Sequence, residues 1–318
     1  METKESHSGK HPKGEKDILP KLNAMFSLLP DLSAVFAEKI VIKCGNDHIS
    51  NKEIMQAIAQ DVALLRKFGA DVVLVHGGGK EVVETIEKFN IAENTTHGHR
   101  IIDKEVFGVV EMVLSGKICP NIVSQINNAG ARARGMSGRD CRFITVEKLR
   151  RTKKDEDSNI ERILDLGMVG QPIAMDVDMM LDAFDDEIIP VVSPIGVCKQ
   201  GKPYIMNADM LAAFIASEIE ADRLILLSDF EGIKNNKGEL QTEMQPEDAK
   251  KILSTTKLES KLKLKLESAV AAVAAGVTTS YVLNGNTLHA VALQIFGEQK
   301  CGTAIIGDAT GEIELELE

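Results

Sequence analysis

The feature that most constrains this chain is a recurring unit: a short apolar run, a tight turn rich in glycine or small polar residues, then a stretch with helical periodicity. Lys39–Lys43 (KIVIK) ends in Cys44-Gly45-Asn46, and Asp71–His76 (DVVLVH) ends in Gly77-Gly78-Gly79. Ile188–Val192 leads into Ser193-Pro194-Ile195-Gly196, and Arg223–Leu227 (RLILL) ends at Ser228-Asp229. Runs without polar alternation are strands buried on both faces, the situation of a parallel sheet covered by helices. Helical spacing follows over Lys52–Phe68, Lys80–Phe89, Glu105–Asn128, Asn207–Ile219 and Leu258–Ala275, with a further strand at Ser280–Leu283. The pattern predicts an α/β fold built on a parallel sheet.

The flanks read differently. Ile18, Leu19, Leu22, Met25, Phe26, Leu28 and Leu29 recur at helical spacing between Asp17 and Phe36, which predicts an amphipathic helix kinked or split at Pro30. Met1–Lys16 is polar and lacks the apolar core of a secretory signal, so it reads as a disordered tail. Arg150–Asn159 reads as a surface insertion or hairpin tip, and the closing GEIELELE as a solvated acidic tail. No internal repeat and no flexible linker is evident.

Composition narrows the function. The 318 residues are 44% hydrophobic and 27% charged, with no uninterrupted apolar run near the ~20 residues of a membrane helix. Five cysteines, Cys44, Cys119, Cys141, Cys198 and Cys301, form no C-x-x-C pair, which fits a reducing cytoplasm and gives no zinc spacing. A formal net charge of -11 opposes binding nucleic acid, so a phosphate-bearing ligand must be held by a few local cations and backbone amides.

Several residues could supply that chemistry. Glycines at Gly77, Gly78 and Gly79 let backbone N–H groups approach an anion at a helix start, although a sharp turn alone would use the same residues. Lys43 ends a strand, where side chains reach the cleft of an open α/β sheet. Lys257, Lys261, Lys263 and Lys265 share a helix start that reads equally as a solvated basic face. Asp209 suits a first-turn acid, Ser228-Asp229 suits a turn or a nucleotide contact, and His76 suits a packed, hydrogen-bonded histidine.

Taken in order from about Leu29 to Ile306, eleven blocks carry a resemblance: VIKCG at Val41, VLVHGGGKEV at Val73, GHRIID at Gly98, VEMVLSGKICPNIVSQIN at Val110, GMSGRD at Gly135, DLGMVGQP at Asp165, IPVVSPIGV at Ile189, MNADMLAAFIA at Met206, LILLSDFEGI at Leu224, KLESAVAAVAAGV at Lys265 and CGTAII at Cys301. They resemble the acetylglutamate kinases of the amino-acid kinase family. The resemblance implies a three-layer sandwich with an open, mainly parallel central sheet. It divides the chain into a tail (1–16), a helical extension (17–37), an amino-acid-substrate lobe (38–206), a nucleotide lobe (207–308) and an acidic tail (309–318).

It also implies an activity, the transfer of phosphate from ATP with Mg2+ to the γ-carboxylate of N-acetyl-L-glutamate in arginine biosynthesis. Lys43 and Lys265 would stabilise the transferring phosphoryl group and Asp209 would orient both. Gly78 and Gly79 would hold the substrate through backbone amides, and Arg100 would hold its α-carboxylate by bidentate hydrogen bonds. Gly45 would lie against the phosphates, with Ser228 and Asp229 at the adenosine. No metal ligand is implied on the chain, and a homodimer or a hexamer is.

Departures from the pattern leave a kinase for a related acylated amino acid, or a non-catalytic ligand-binding subunit, as alternatives. Asn46 replaces a second glycine, and Ile205 replaces a substrate-binding asparagine, a change worth ~1.5–3 kcal/mol if a charged hydrogen bond goes with it. Ser260-Lys261-Leu262 replaces a glycine-glycine-methionine loop and favours helix. Asp31, Tyr281, Gln299 and Lys300 stand where arginine-inhibited members have tyrosine, histidine, glutamate and glycine, so arginine inhibition is expected to be weak or absent.

Overall fold

The computed structural model describes residues 15–92, 94–96, 99–154, 161–235, 237–256, 258–297 and 301–307. The 1–14 part of the expected tail, Gly98, Lys257, Gln299, Lys300 and the 309–318 tail lie outside the described residues.

The five expected apolar runs are joined by three further strands in one eight-stranded sheet of β1 (Lys39–Cys44), β2 (Asp71–His76), β3 (Arg132–Ser137), β4 (Ile188–Ser193), β5 (Arg223–Ser228), β6 (Glu243–Met244), β7 (Thr279–Asn284) and β8 (Gly302–Ile306). The sequence reading does not include β3, β6 and β8. Across the sheet the order is β6-β8-β7-β5-β1-β2-β4-β3, parallel throughout except for β8 against β7. Ile40, Val41, Ile42, Val73, Leu74, Val75 and Leu224 to Leu227 are fully buried. Each such side chain contributes about 1.5–3 kcal/mol of transfer free energy. Helices Ala208–Glu218 and Ser260–Ala274 pack on each other and on the central strands, while Lys52–Lys67 and Cys119–Asn128 pack on each other and on the other half of the sheet. This is the expected α/β sandwich with a mainly parallel sheet.

The position of the site follows from the strand order. The chain leaves β1 toward β2 on one side and returns to its other side with β5, which creates the crevice at the strands' carboxyl ends where open α/β sheets bind ligands. Register aligns those ends, with Cys44 opposite His76 and Ser228 opposite Asn284. At the opposite end the β1/β5 junction is pinned by Arg223, which donates two hydrogen bonds to the Glu38 carboxylate at 2.7 and 2.8 Å, and by Lys39 N donating to Asp222 Oδ2.

The local expectations are corrected at the N-terminal helix and refined elsewhere. The N-terminal helix begins at Glu15, inside the expected tail, and runs to Ala34 through both Pro20 and Pro30 without splitting. Its Leu32 is buried, whereas Ile18, Leu19, Leu22, Phe26, Leu28 and Leu29 are exposed. Of the two readings for 150–159, the hairpin agrees with the structure: Arg151–Lys154 and Glu161–Leu164 pair antiparallel, with the tip outside the described residues. The stretch expected to be helical over Glu105–Asn128 is helical throughout, from Lys104 to Asn128, with a π-turn at Leu114–Ile118 between the α-helical parts Lys104–Val113 and Cys119–Asn128. By length and composition this run could cross a membrane, but half of its most apolar window is buried in the fold. A second sheet of four strands, ordered Pro203–Ile205, Ile195–Val197, Ile144–Lys148 and Gly170–Met175, carries Ile205 on its edge; its short strands gave no sequence signal.

Candidate active site

Three buried charges meet at the carboxyl end of β1. Lys43 Nζ lies 2.9 Å and Lys265 Nζ 2.7 Å from the same oxygen, Asp209 Oδ1. Each residue is 7 or 8% exposed. The strand position aims Lys43 into the crevice, and Lys265 comes from the second turn of Ser260–Ala274. Asp209 is held in the first turn of Ala208–Glu218, whose N-cap Asn207 accepts hydrogen bonds from Asp209 N and Met210 N. Lys261 and Lys263 remain exposed, so the basic-face reading holds for them and fails for Lys265.

Burial and charge oppose each other in this cluster. Burial would raise Asp209, but the two ammonium groups outweigh it and hold the carboxyl below its ordinary range. Burial would likewise lower Lys43, and the Asp209 carboxylate outweighs that and holds it above. One carboxylate cannot satisfy two cations equally, so burial and the repulsion of Lys43 push Lys265 down to about 8.

The glycine turn flanks this cluster. Gly77 N donates to Cys44 O at 2.9 Å, tying the ends of β1 and β2. Gly78 is the N-cap of Gly79–Lys88, so the helix opens with first-turn N–H groups that have no partner within the helix. A Cβ on Gly78 would fall 2.3 Å from Leu114 and 2.5 Å from Ile118, both in the π-turn, so no side chain fits. Gly79 is part of the helix, one residue before its expected start. His76 is fully buried: Nδ1–H donates to Gly77 O at 2.8 Å, and Nε2 accepts from Ser193 Oγ at 3.0 Å. Burial pushes its pKa down to about 4, which makes it a neutral strut for the turn, as expected from the sequence.

Gly45 follows Lys43 by two residues, and a Cβ there would stand 3.5 Å from the Lys43 ammonium. Asn46 lies between the two glycine turns: its Nδ2 is 3.3 Å from the position of a Cβ on Gly79, and its Oδ1 is buried without a hydrogen-bond partner. On the other side, Ser228 is buried and its hydroxyl accepts from Phe230 N, while Asp229 is exposed at the strand end.

Arg100 is not gathered into the lysine cluster. It lines a cavity of about 700 Å³ with Ile102, Val169, Ile205, Asn207 and Met210, and the walls of that cavity do not include Gly78 or Gly79. The sequence reading missed His48, which is 1% exposed beneath Gly45. Its place three residues after a strand-ending glycine was the available signal. Among the described residues, no group of three or more His, Cys, Asp or Glu could hold a metal ion.

The arrangement can neutralise and position an anion with two largely buried ammonium groups and a helix N-terminus. Asp209→Asn removes the charge that compensates both lysines. Breaking a buried ion pair on one side costs ~3–5 kcal/mol, so a urea melt should show an earlier midpoint with unchanged slope.

A model of the amino acid kinase family matches residues 38–284. The chain is 38% identical over 291 residues to the acetylglutamate kinase of Bartonella bacilliformis, covering 91% of this chain and 97% of that one. It is 37% identical over 292 residues to the acetylglutamate kinase of Sinorhizobium medicae, covering 92% and 98%. Among solved structures, the N-acetylglutamate synthase of Neisseria gonorrhoeae shares the fold with a TM-score of 0.76 at 20% identity, over 91% of this chain; the chain spans 64% of that synthase's length. The chain belongs to the amino acid kinase family.

Proposed function

We propose that this chain phosphorylates the γ-carboxylate of N-acetyl-L-glutamate with ATP, giving N-acetylglutamyl 5-phosphate and ADP, as a step of arginine biosynthesis in the cytoplasm. The observation that carries the reading is the pair of buried ammonium groups on one Asp209 oxygen, together with a helix N-terminus that no side chain caps. A carboxylate and a triphosphate repel each other, and transfer between them needs fixed positive charge and alignment more than covalent chemistry by the protein. Lys43 and Lys265 supply that charge, and Asp209 holds both Nζ atoms in place. Gly78 and Gly79 offer amides to the acceptor carboxylate, and Arg100 takes its α-carboxylate.

Gly45 leaves room for the phosphates beside Lys43, with Ser228 and Asp229 toward the adenosine. The oxygen of Asn46 without a partner fits a donor on the bound nucleotide complex. Mg2+, when bound, would neutralise phosphate charge; Asp209 is already committed to two lysines, so the metal's ligands would come chiefly from the nucleotide. The exposed apolar residues of Glu15–Ala34 support a homo-oligomeric assembly, a dimer or a hexamer.

A second reading, a related acylated amino acid as acceptor, is favoured by Ile205. It stands in a cavity wall with Ile102, Val169 and Met206, where an asparagine would have offered a hydrogen bond. An Ile205→Asn variant should lower KM for N-acetyl-L-glutamate about tenfold, the effect of one recovered charged hydrogen bond. If N-acetyl-L-glutamate is not the acceptor, the substitution leaves its KM unchanged.

The direct test is ADP release with Mg-ATP and N-acetyl-L-glutamate, trapping the acyl phosphate with hydroxylamine. Lys43→Ala should slow turnover by at least ~10²-fold to 10³-fold, as loss of an oxyanion donor does elsewhere. No turnover by the unaltered chain refutes the assignment. The pH profile gives an independent check. Because Lys265 in the free protein loses its proton near pH 8, kcat/KM for ATP should fall as pH rises through about 8. The kcat profile should hold to higher pH, since bound phosphates favour the charged ammonium.

A further inference from the structure

His48 joins the two ends of the proposed nucleotide site, yet neither the family pattern nor the lysine cluster includes it. It lies in the short helix Asn46–Ser50 that follows β1. Three strand ends converge on its ring. From β1, Gly45 N donates to His48 Nδ1 at 3.4 Å. From β7, the backbone continues into Gly285, which packs flat on the imidazole: a Cβ there would fall 2.5 to 2.9 Å from three ring atoms. From β5, Asp229 Oδ1 faces Nε2 at 3.5 Å, with the Ser228 carbonyl beside it. These strands are neighbours in the order β7-β5-β1, so the ring forms the floor of the crevice at the junction of the two halves of the sheet.

The hydrogen bonding fixes the chemistry of the ring. Nδ1 accepts from Gly45 N–H, so the proton of the neutral ring is on Nε2. Nε2 is fully buried, with Asp229 Oδ1 at 3.5 Å, the outer limit of a hydrogen bond, and the Ser228 carbonyl as a second acceptor, which leaves the donor weakly bonded. A buried donor in that state costs free energy that a small movement of the half-exposed Asp229 loop would recover. Burial, with Lys43 and Lys265 nearby, holds the ring neutral, and a protonated ring could not accept the Gly45 N–H. Lys261 is the other charge on this acid, 4.0 Å from Asp229 Oδ2.

Resting on the reading of this crevice as a nucleotide site, we infer that His48 is a positioning residue for the nucleoside triphosphate. It sets the Gly45 amide at the phosphate end and draws in Asp229 at the nucleoside end, without touching the ligand. At 1% exposure it cannot be reached directly, so its effect passes through those two residues. Gly285 allows this because any side chain there would evict the ring.

The experiment is calorimetric titration of the full chain with the magnesium complex of a non-hydrolysable ATP analogue, alongside steady-state kinetics and urea unfolding. His48→Ala should weaken the analogue and raise KM for ATP about tenfold, the loss of about one hydrogen bond's worth of positioning, while KM for N-acetyl-L-glutamate stays within twofold (about 0.4 kcal/mol). His48→Asn, whose Oδ1 can accept the Gly45 N–H, should recover most of the affinity. Asp229→Asn should weaken the analogue alone but add little on the His48→Ala background, because the two act as one unit. Equal affinity in the unaltered chain and His48→Ala overturns the inference while leaving the proposed function intact. Equal losses for both substrates with an earlier unfolding midpoint, not recovered by Asn, mean that the ring only packs, and also overturn it. An unaltered chain that binds no nucleotide refutes the proposed function, and this inference with it.

Discussion

One carboxylate oxygen shared by two ammonium groups is the interaction on which the rest of the structure depends. Removing three charges from water is costly, and the mutual attraction of Lys43, Asp209 and Lys265 recovers that cost only at hydrogen-bond distance. The geometry therefore has to be imposed by rigid elements. Lys43 is fixed by a central strand, Asp209 by a capped helix start, and Lys265 by a helix packed against the one carrying Asp209. A cluster bought at such expense, with a net positive charge facing a crevice, is better explained by what it binds than by what it stabilises.

The second constraint is backbone proximity at the strand ends. Gly77 bonds to Cys44 O, Gly78 lies under Leu114 and Ile118, and Gly285 lies under His48. Two of these positions need glycine: Gly78 because the π-turn fills the space where a side chain would go, and Gly285 to admit an imidazole. The π-turn interrupts what would otherwise be one regular helix, and it occurs where the glycine turn needs a lid. The neutral His76 beneath the turn adds rigidity without adding charge to a site already rich in it.

Around this centre the departures from the family pattern are unevenly placed. Asn46 follows Gly45 on a short helix that also carries His48, and both residues have polar atoms buried without a hydrogen bond of ordinary geometry. Ile205 instead changes a cavity wall that Arg100 shares. The crevice is thus more polar than the pattern suggests near Gly45, and the cavity that Arg100 lines is less so.

The sequence by itself determined five strands of the main sheet, because fully apolar runs have only a sheet interior in which to hide, and it determined the parallel α/β class from their alternation with helices. It did not show Arg132–Ser137, which is not an apolar run, or the short Glu243–Met244. It placed Lys43 and the glycine turn at strand ends, and the ordered blocks assigned Asp209, Lys265 and Arg100 their expected roles. It could not choose Lys265 from its lysine neighbours or see the pairing with Asp209 across 56 positions, since helical spacing repeats along a segment and carries no information about what packs against it. The π-turn, the four-stranded sheet and His48 were likewise decided only by the tertiary structure. Each depends on atoms from distant segments meeting within a few ångströms, and such contacts leave no periodic trace along the chain.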